Sequence, residues 1–333
     1  MTDGFGTEAP VRVAIVGSSG RIAQDWKNAI DAENGAKLAA TIDPTTATSG
    51  AHFASIEEFV HAQGALRCQA AIVASPPKTH RDLVERLLDL GLSVLCEKPF
   101  ATSTDDAEAM LAAADRSNCS LVLASKFRFT PPVQAAQTWI ADGRIGEPIA
   151  YENVFSAPID MAERWNADPE IAGGGVLQDN GPHAADLARA LCGPIASVVA
   201  STTRPVQKLR VEDGIRLMFR FESGAVGTSD LSWSLPAARQ DMAIVRGHRG
   251  TLRIRWDGAE LIPADGSAPQ HRAEGYDKRG AFGAQLSEFL QLCRGRGQST
   301  VDSKDALAAV AFVESAYRSL QEGRFIDIVE KER

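Results

Sequence analysis

Residues 173 to 193, GGGVLQDNGPHAADLARALCG, gather three titratable side chains behind a triple glycine. Asp179, His183 and Asp186 stand four and three residues apart. A metal centre needs three or more converging ligands, and no second ligand cluster lies elsewhere in the chain to complete one. A plain helix start would use the same residues as cap and first-turn charges. An acid–base site would use His183, whose ordinary pKa of about 6.5 lets it accept a hydroxyl proton as hydride leaves the carbon. Pro182 is favoured in a first helical turn, which predicts a helix capped by Asn180 or Gly181 and buried through Leu187 and Leu191. His183 then falls in the first turn and Asp179 just before it, both facing one cleft. Asp186 reads as helix-start electrostatics or a hydrogen-bond partner. The triple glycine would let backbone pass close to a substrate.

The elements that must position these groups are legible upstream. VRVAIV (11–16) is a short apolar run ending at glycine, which suits a strand buried on both faces. RIAQDWKNAIDAEN follows with Ile22, Trp26 and Ile30 at helical spacing and stops at Gly35. AKLAATID ends at Asp43, and Ser55 with Glu58 forms a capping box for the next helix. QAAIVAS, THRDLVERLLDLG, LSVLCE, a helix capped from Thr102 or Ser103, and SLVLAS (120–125) continue the alternation. Strand and helix in alternation predict a doubly wound parallel sheet over 11–125, behind a disordered lead-in at 1–10. After a helix near 131–142 the chain turns strand-rich. The alternation in IRLMFRF and TLRIRW predicts a meander of mostly antiparallel strands with one solvated face. Helices at about 282–293 and 303–321 close this second α/β domain, 126–333.

Two motifs in the first half carry chemistry. GSSGRIA (17–23) spaces Gly17, Gly20 and Ala23 three apart, in place of the usual G-x-G-x-x-G. Gly17 permits the tight turn, Gly20 lets backbone approach a pyrophosphate, and Ala23 allows close packing of helix on strand. Ser18 and Ser19 add hydroxyl donors, and the free N–H groups around Arg21 and Ile22 face the phosphates. Asp43, about 20 residues on, suits a ribose hydroxyl. The following PTTATS has no Arg or Lys, which favours NAD over NADP. CEKPF (96–100) ends a parallel strand, where ligands of such sheets bind. Pro99 fixes the backbone and is a candidate cis proline that would aim Lys98 into the cleft, with Glu97 to orient it.

The net charge of −8 and the lack of a long basic run exclude a nucleic-acid partner. No apolar run approaches the ~18 residues of a membrane span, and MTDGFGTEAP has no secretory pattern. Five scattered cysteines without metal spacing fit a reducing cytoplasm, with Cys96 and Cys192 as small core residues.

In this order, the glycine turn, Asp43, VASPPKTH (73–80), CEKP (96–99), FRFTP (127–131) and GGGVLQDNGPH (173–183) resemble the Gfo/Idh/MocA family of oxidoreductases. VEDG (211–214) and Ser232-Trp233 match more loosely. The resemblance implies a Rossmann domain followed by an α/β domain whose open sheet face makes homodimers or homotetramers. It implies that Lys98, Asp179 and His183 are the catalytic positions, and that Ala74, Ser75, Pro76, His80, Glu97 and Lys98 line the cofactor. His183 would be the base, Asp179 would hold the substrate hydroxyl, and Lys98 would stabilise charge on the reacting oxygen, with Lys98 as proton acceptor the variant. A metal, next to Lys98, is disfavoured.

The same resemblance places APIDMAERWNADPE (157–170) along the substrate, with Trp165 available to stack on a sugar ring and Asn166 beside it. Lys126 stands where the family often has a neutral polar residue. Lys126 and Arg128 would meet an anionic group, whereas Asp160 and Glu163 would meet an amine. The expected activity is NAD-dependent oxidation of a secondary hydroxyl on a sugar, amino sugar or cyclitol. The alternatives are an NADP-dependent sugar reductase, a glycosidase acting through transient oxidation, and a non-catalytic NAD-responsive regulator. The regulator would normally lack one of the three catalytic side chains, all of which are present.

Overall fold

Double-sided burial explains the first apolar runs. The computed structural model describes residues 9–45, 51–237 and 240–328; most of the expected lead-in, and residues 46–50 of the segment after Asp43, lie outside the described residues. β1 (Val11–Val16) buries five of its six residues. It leads through the glycine turn into α1 (Arg21–Ala32), which buries Ala23, Trp26, Ala29 and Ile30 on one side. β2 (Ala36–Ile42), β3 (His52–Phe53), α2 (Ile56–Leu66), β4 (Ala70–Val73), α3 (His80–Asp89), β5 (Ser93–Cys96), α4 (Thr104–Ser117) and β6 (Leu121–Leu123) follow. Ser55 and Ser103 cap α2 and α4 by accepting from the N–H of Glu58 and Asp106. The six strands form a parallel sheet in the order β3-β2-β1-β4-β5-β6. The order reverses between β1 and β4, and the crevice outside the strand ends there is where such sheets bind ligands. Gly17, Ala74, Lys98 and Lys126 all follow strand ends on that edge.

α5 (Pro131–Ala141), β7 (Pro148–Ser156), α6 (Pro169–Ala172), α7 (Val176–Cys192) and strands β8 (Ile195–Thr202), β9 (Gly214–Phe221), β10 (Val226–Ser232), β11 (Asp241–Gly247), β12 (Gly250–Arg255), β13 (Gly258–Pro263) and β14 (Gln270–Arg272) build the second unit. α8 (Lys278–Cys293), α9 (Ser303–Glu322) and β15 (Ile326–Asp327) complete the described chain. The nine-stranded sheet runs β14-β13-β12-β11-β7-β10-β9-β8-β15. β7, the first of these strands in the chain, lies in the middle and pairs parallel with β10, so the sheet is not the simple meander that the strand succession suggests. β9 shows the expected alternation: Ile215, Leu217, Phe219 and Phe221 are buried and Arg216, Met218 and Arg220 exposed. Among the described residues no helix is long and apolar enough to cross a membrane.

The division at residue 125 does not describe where the last two helices pack. Phe282, Leu286, Phe289 and Leu290 of α8 share a core with β1, α1 and β4, and Ala306, Ala309 and Val310 of α9 share one with α3 and α4. The Trp26 and Phe282 rings lie 4.5 Å apart between centroids. α8 therefore packs with the first unit, whereas α9 bridges the two, since its Phe312, Val313 and Ala316 share the core of the second.

α7 begins four to five residues before the expected cap. Its first N–H groups are satisfied from outside the helix: Gly175 and Leu177 donate to Glu212 Oε1 at 3.2 and 3.0 Å, and Val176 donates to the Glu212 carbonyl at 2.9 Å. Tyr317 Oη donates to the same Glu212 oxygen at 2.9 Å. With the helix N-terminus satisfied in this way, Asn180 and Gly181 are helical, Asp179 lies in the first turn, and His183 follows one turn later beyond an internal Pro182. Gly174 and Gly175 make this packing possible, and Gly175 also lines the cavity. A Cβ at 174 would lie 2.0 Å from Tyr317 Oη, and one at 175 would lie 2.2 Å from the Glu212 carbonyl oxygen.

A buried ion cluster fixes α7 against its neighbours. Arg128 is 6% exposed; its Nε donates to Asp186 Oδ1 at 2.8 Å, and Nη1 lies 2.8 Å from Asp305 Oδ2. Nη1 also donates to the Thr300 carbonyl at 3.0 Å, and the Ser125 hydroxyl donates to Asp186. Burial opposes the Arg128 charge, but Asp186 and Asp305 outweigh it and hold the guanidinium charged. Arg128 is therefore a structural ion and not the substrate contact the sequence suggests, and Asp186 is its hydrogen-bond partner rather than a helix-start charge. Arg128→Met should destabilise the fold by about 3–5 kcal/mol in urea unfolding, because Asp186 is left as an uncompensated buried charge. Adding Asp186→Asn should recover part of that loss; a single-mutant effect below ~1 kcal/mol would show that the cluster does not anchor α7.

Candidate active site

A cavity of about 460 Å³ opens at the carboxyl edge of the parallel sheet, between it and α7. Strand β5 ends two residues before Lys98, which lines this cavity, and the Lys98–Pro99 peptide that follows is cis. Lys98 Nζ donates to Asp179 Oδ1 at 2.5 Å and to the Asp179 carbonyl at 2.9 Å. Pro182, three residues on, has no N–H and leaves the Gln178 carbonyl without its helical donor. Glu97 is buried and oriented at both ends: Oε1 accepts from Trp26 Nε1 at 2.9 Å, and Oε2 from the Lys98 N–H at 3.1 Å. Burial raises its pKa, which Lys98 and Trp26 partly offset.

Asp179 also accepts from Trp233 Nε1, at 3.3 Å. Burial works against its ionisation, but the Lys98 ammonium outweighs burial, and the carboxyl stays below its ordinary value. His183 is 8% exposed and meets the Phe127 ring edge-on at 5.0 Å. Burial, then the charges of Lys98 and Lys126, push its pKa well below 6.5, so the ring is neutral near pH 7. Its ring nitrogens make no hydrogen bond among the described residues, so they are free to take a substrate proton. Lys98, Asp179 and His183 thus line one cavity, as the family resemblance implies, although Asp179 and His183 do not bond each other.

Lys126, Trp165 and Asn166 line the same cavity. Trp165 is 44% exposed in a short 3₁₀ turn, so it is not a core residue. Asp160 and Glu163 are exposed and lie off the cavity wall. Lys126 is half-buried; burial, then the like charge of Lys98, pushes its ammonium down to about 8.

The glycine turn meets the cavity through Gly20, Arg21 and Ile22, with Ala74 and Ser75 beside them. Gly17 has φ +78°, and a Cβ there would lie 2.6 Å from the Ser75 nitrogen, so the altered motif still makes the tight turn. Ser18 Oγ is buried with no hydrogen-bond partner among the described residues, a donor left over beside the glycine turn. Asp43 is 5% exposed. Its Oδ2 accepts the N–H and hydroxyl of Ser19 at 2.9 and 2.6 Å, and its Oδ1 those of Thr45 at 2.9 and 2.5 Å. Burial opposes ionisation of Asp43, yet these bonds pull its pKa down to about 2, leaving a firmly fixed negative charge.

Of the expected cofactor contacts, Gly17, Ser18, Ser19, Asp43, Pro76 and His80 do not line the cavity; the first four stand behind its wall in and beside the glycine turn. His80 is fully buried, with Nε2 and Nδ1 lying 2.9 and 3.2 Å from the carbonyl oxygens of Ser75 and Phe100. It braces the loops after β4 and β5 and has no face left for a ligand. Pro76 points to solvent, and Pro77 takes its place on the wall. Glu212, Tyr317, Phe127 and Trp233 are functional supports that sequence reasoning did not assign. VEDG and Ser232-Trp233 held two of them as loose matches, but their partners lie on distant elements. Among the described residues no three His, Cys, Asp or Glu side chains converge as a metal site.

Comparison with known proteins agrees with this geometry. Residues 11–125 match the oxidoreductase family with an NAD-binding Rossmann fold, and residues 133–253 match the GFO/IDH/MocA C-terminal domain. The chain is 30% identical to D-apiose dehydrogenase of Paraburkholderia graminis, over 77% of this chain and 72% of that one. It is 26% identical to inositol 2-dehydrogenase of Rhizobium meliloti, over 96% and 99%. Among solved structures it resembles the aldose-aldose oxidoreductase of Caulobacter crescentus, with a TM-score of 0.82 and 26% identity over 96% and 99% of the two chains. The chain belongs to the Gfo/Idh/MocA family of oxidoreductases.

Proposed function

We propose that the protein is an NAD-dependent dehydrogenase that oxidises a secondary hydroxyl of a sugar or cyclitol. One arrangement carries this reading. Lys98, Asp179 and a neutral His183 line a single cavity that also receives the glycine turn. When bound, the nicotinamide dinucleotide supplies the hydride acceptor. Gly17, Ser18, Gly20, Arg21 and Ile22 would hold its pyrophosphate, Asp43 its adenosine ribose, and Ala74 and Ser75 its passage along the wall. The fixed charge of Asp43 disfavours a 2′-phosphate and supports NAD over NADP.

The residues divide the work by charge. Asp179, pinned by Lys98 and Trp233, orients the substrate hydroxyl. Lys98 Nζ donates toward the reacting oxygen and stabilises its developing negative charge. His183 accepts the hydroxyl proton at an unbonded ring nitrogen, and returns it in the reverse direction. The Phe127 ring excludes water from one side of the imidazole. D-apiose dehydrogenase and inositol 2-dehydrogenase, by their names, act on a sugar and a cyclitol. That supports the substrate class.

Lys98→Ala and His183→Ala should each lower turnover at least ~10²-fold while leaving NAD⁺ binding within a few-fold, the scale of positioned acid–base catalysis. Unchanged turnover in either variant removes that residue from the mechanism. In calorimetry NAD⁺ should bind more tightly than NADP⁺, and Asp43→Ala should narrow the gap by about tenfold or more. Tighter NADP⁺ binding by the natural chain would reverse the cofactor assignment. Because the folded environment lowers its pKa, His183 stays deprotonated until the pH falls well below 6.5. Proton NMR, with the resonance assigned by its loss in His183→Asn, should give that midpoint; a value at or above 6.5 would contradict the neutral base.

A further inference from the structure

The cavity is cationic in an acidic chain. Its wall carries Arg21, Lys98, Lys126, Arg164 and Lys278 against only Glu97 and Asp179 as acids, whereas the whole chain has a net charge of −8. Most of these charges have an assignment. Lys98 is neutralised by Asp179 at 2.5 Å, and Lys278 by Asp25 at 2.6 Å. Arg21 opens α1 at the glycine turn, the phosphate end of the cavity.

Lys126 is the charge without a use. Its ammonium makes no ion pair or hydrogen bond among the described residues. It is held 5.4 Å from the centroid of the Phe127 ring, which also meets His183, Phe155, Trp256 and Tyr276. It also lies near enough to Lys98 and Asp179 to feel both charges. Burial and the like charges of Lys98 and Lys278 outweigh the opposite charges of Glu97 and Asp179 there, so an arriving anion would stabilise the ammonium. Arg164, exposed and also unpaired among the described residues, stands beside Trp165 on the loop that walls the substrate end. The acids of that loop, Asp160 and Glu163, which would instead favour an amine, lie off the cavity wall.

We infer that the substrate is a sugar or cyclitol bearing an anionic group, a carboxylate or phosphate, and that Lys126 binds that group beside the reaction centre, with Arg164 at the loop. The inference rests on the proposed dehydrogenase reading and narrows it. Lys126 here is a specificity residue; the proton and the reacting oxygen remain with His183, Asp179 and Lys98. Burial and Lys98 weaken its proton affinity, but with a pKa of about 8 it is still predominantly charged at pH 7.

The test uses the full chain with saturating NAD⁺ and a panel of aldoses matched with their uronic acids, aldonic acids, 6-phosphates and 2-amino forms. Binding is read from tryptophan fluorescence, since Trp165, Trp233 and Trp256 line the cavity, and NAD⁺ reduction from absorbance in the same samples. At least one anionic form should bind about tenfold or more tighter than its neutral parent, the scale of one charge-assisted hydrogen bond, and the amine should bind worst. The carboxylate and phosphate arms separate the two sources of charge. Lys126→Gln should abolish the preference chiefly through KM, and Lys126→Arg should retain it. Equal binding of neutral and anionic forms, or a preference that survives Lys126→Gln, overturns the inference. Anion-selective binding without NAD⁺ reduction would keep the inference and remove the dehydrogenase; oxidation of neutral sugars without anion preference would do the reverse.

Discussion

The contact between Lys98 and Asp179 joins the two halves of the molecule at the point where chemistry would occur. Lys98 comes from the end of a parallel strand and Asp179 from the first turn of a helix in the other unit. Each group makes the other tolerable in a partly buried place, because an isolated charge there would shift its pKa toward neutrality. The pair is also locked from behind: Glu97 holds the Lys98 backbone, and the Trp233 indole holds the far oxygen of Asp179. His183 is then left as the neutral member of a charged neighbourhood. A base surrounded by cations is less basic than a free imidazole but is available at every pH near neutrality.

Around that pair the fold separates holding from reacting. Arg128, Asp186 and Asp305 pair with one another, and with Ser125, Thr300 and Arg189, and so hold α7 from its middle to its last turn. Glu212 and Tyr317 fix its N-terminus, from a loop before β9 and from α9. The helix that carries two candidate catalytic groups is therefore anchored at both ends by polar contacts that never face the cavity. Such supports keep a reacting side chain within the narrow geometry that acid–base transfer demands.

Much of this was readable in the chain. The parallel sheet was, because strands buried on both faces leave unbroken apolar runs and helices leave a 3.6-residue period. Spacing placed Asp179 and His183 toward one cleft and a strand end placed Lys98 at the ligand edge; that the three meet was implied by the family resemblance, not by local rules. The start of α7 was not: its cap is Glu212, distant in sequence, while Pro182 offered a local and misleading start. Arg128 was misread for a similar reason. A basic residue two positions from Lys126 looks like a companion, and only the tertiary meeting with Asp186 and Asp305 shows that its charge is spent. Likewise His80 sits in a motif beside the cofactor wall but turns both nitrogens to backbone. Local pattern specified which elements form; the destination of each polar side chain depended on partners the pattern does not name.

The return of α8 to the first sheet has a consequence for how this family can vary. Trp26 near the beginning of the chain packs on Phe282 near its end, and Lys278 closes on Asp25 beside it. The nucleotide-binding unit is thus completed by a helix encoded some 250 residues later. It is not a cassette that a crossover after β6 could exchange between relatives, since a chimaera would face an unmatched helix across a tightly packed seam. A change of size at Trp26 would leave a void or a clash against Phe282, so the two ends of this chain are coupled through packing even though neither residue lines the cavity.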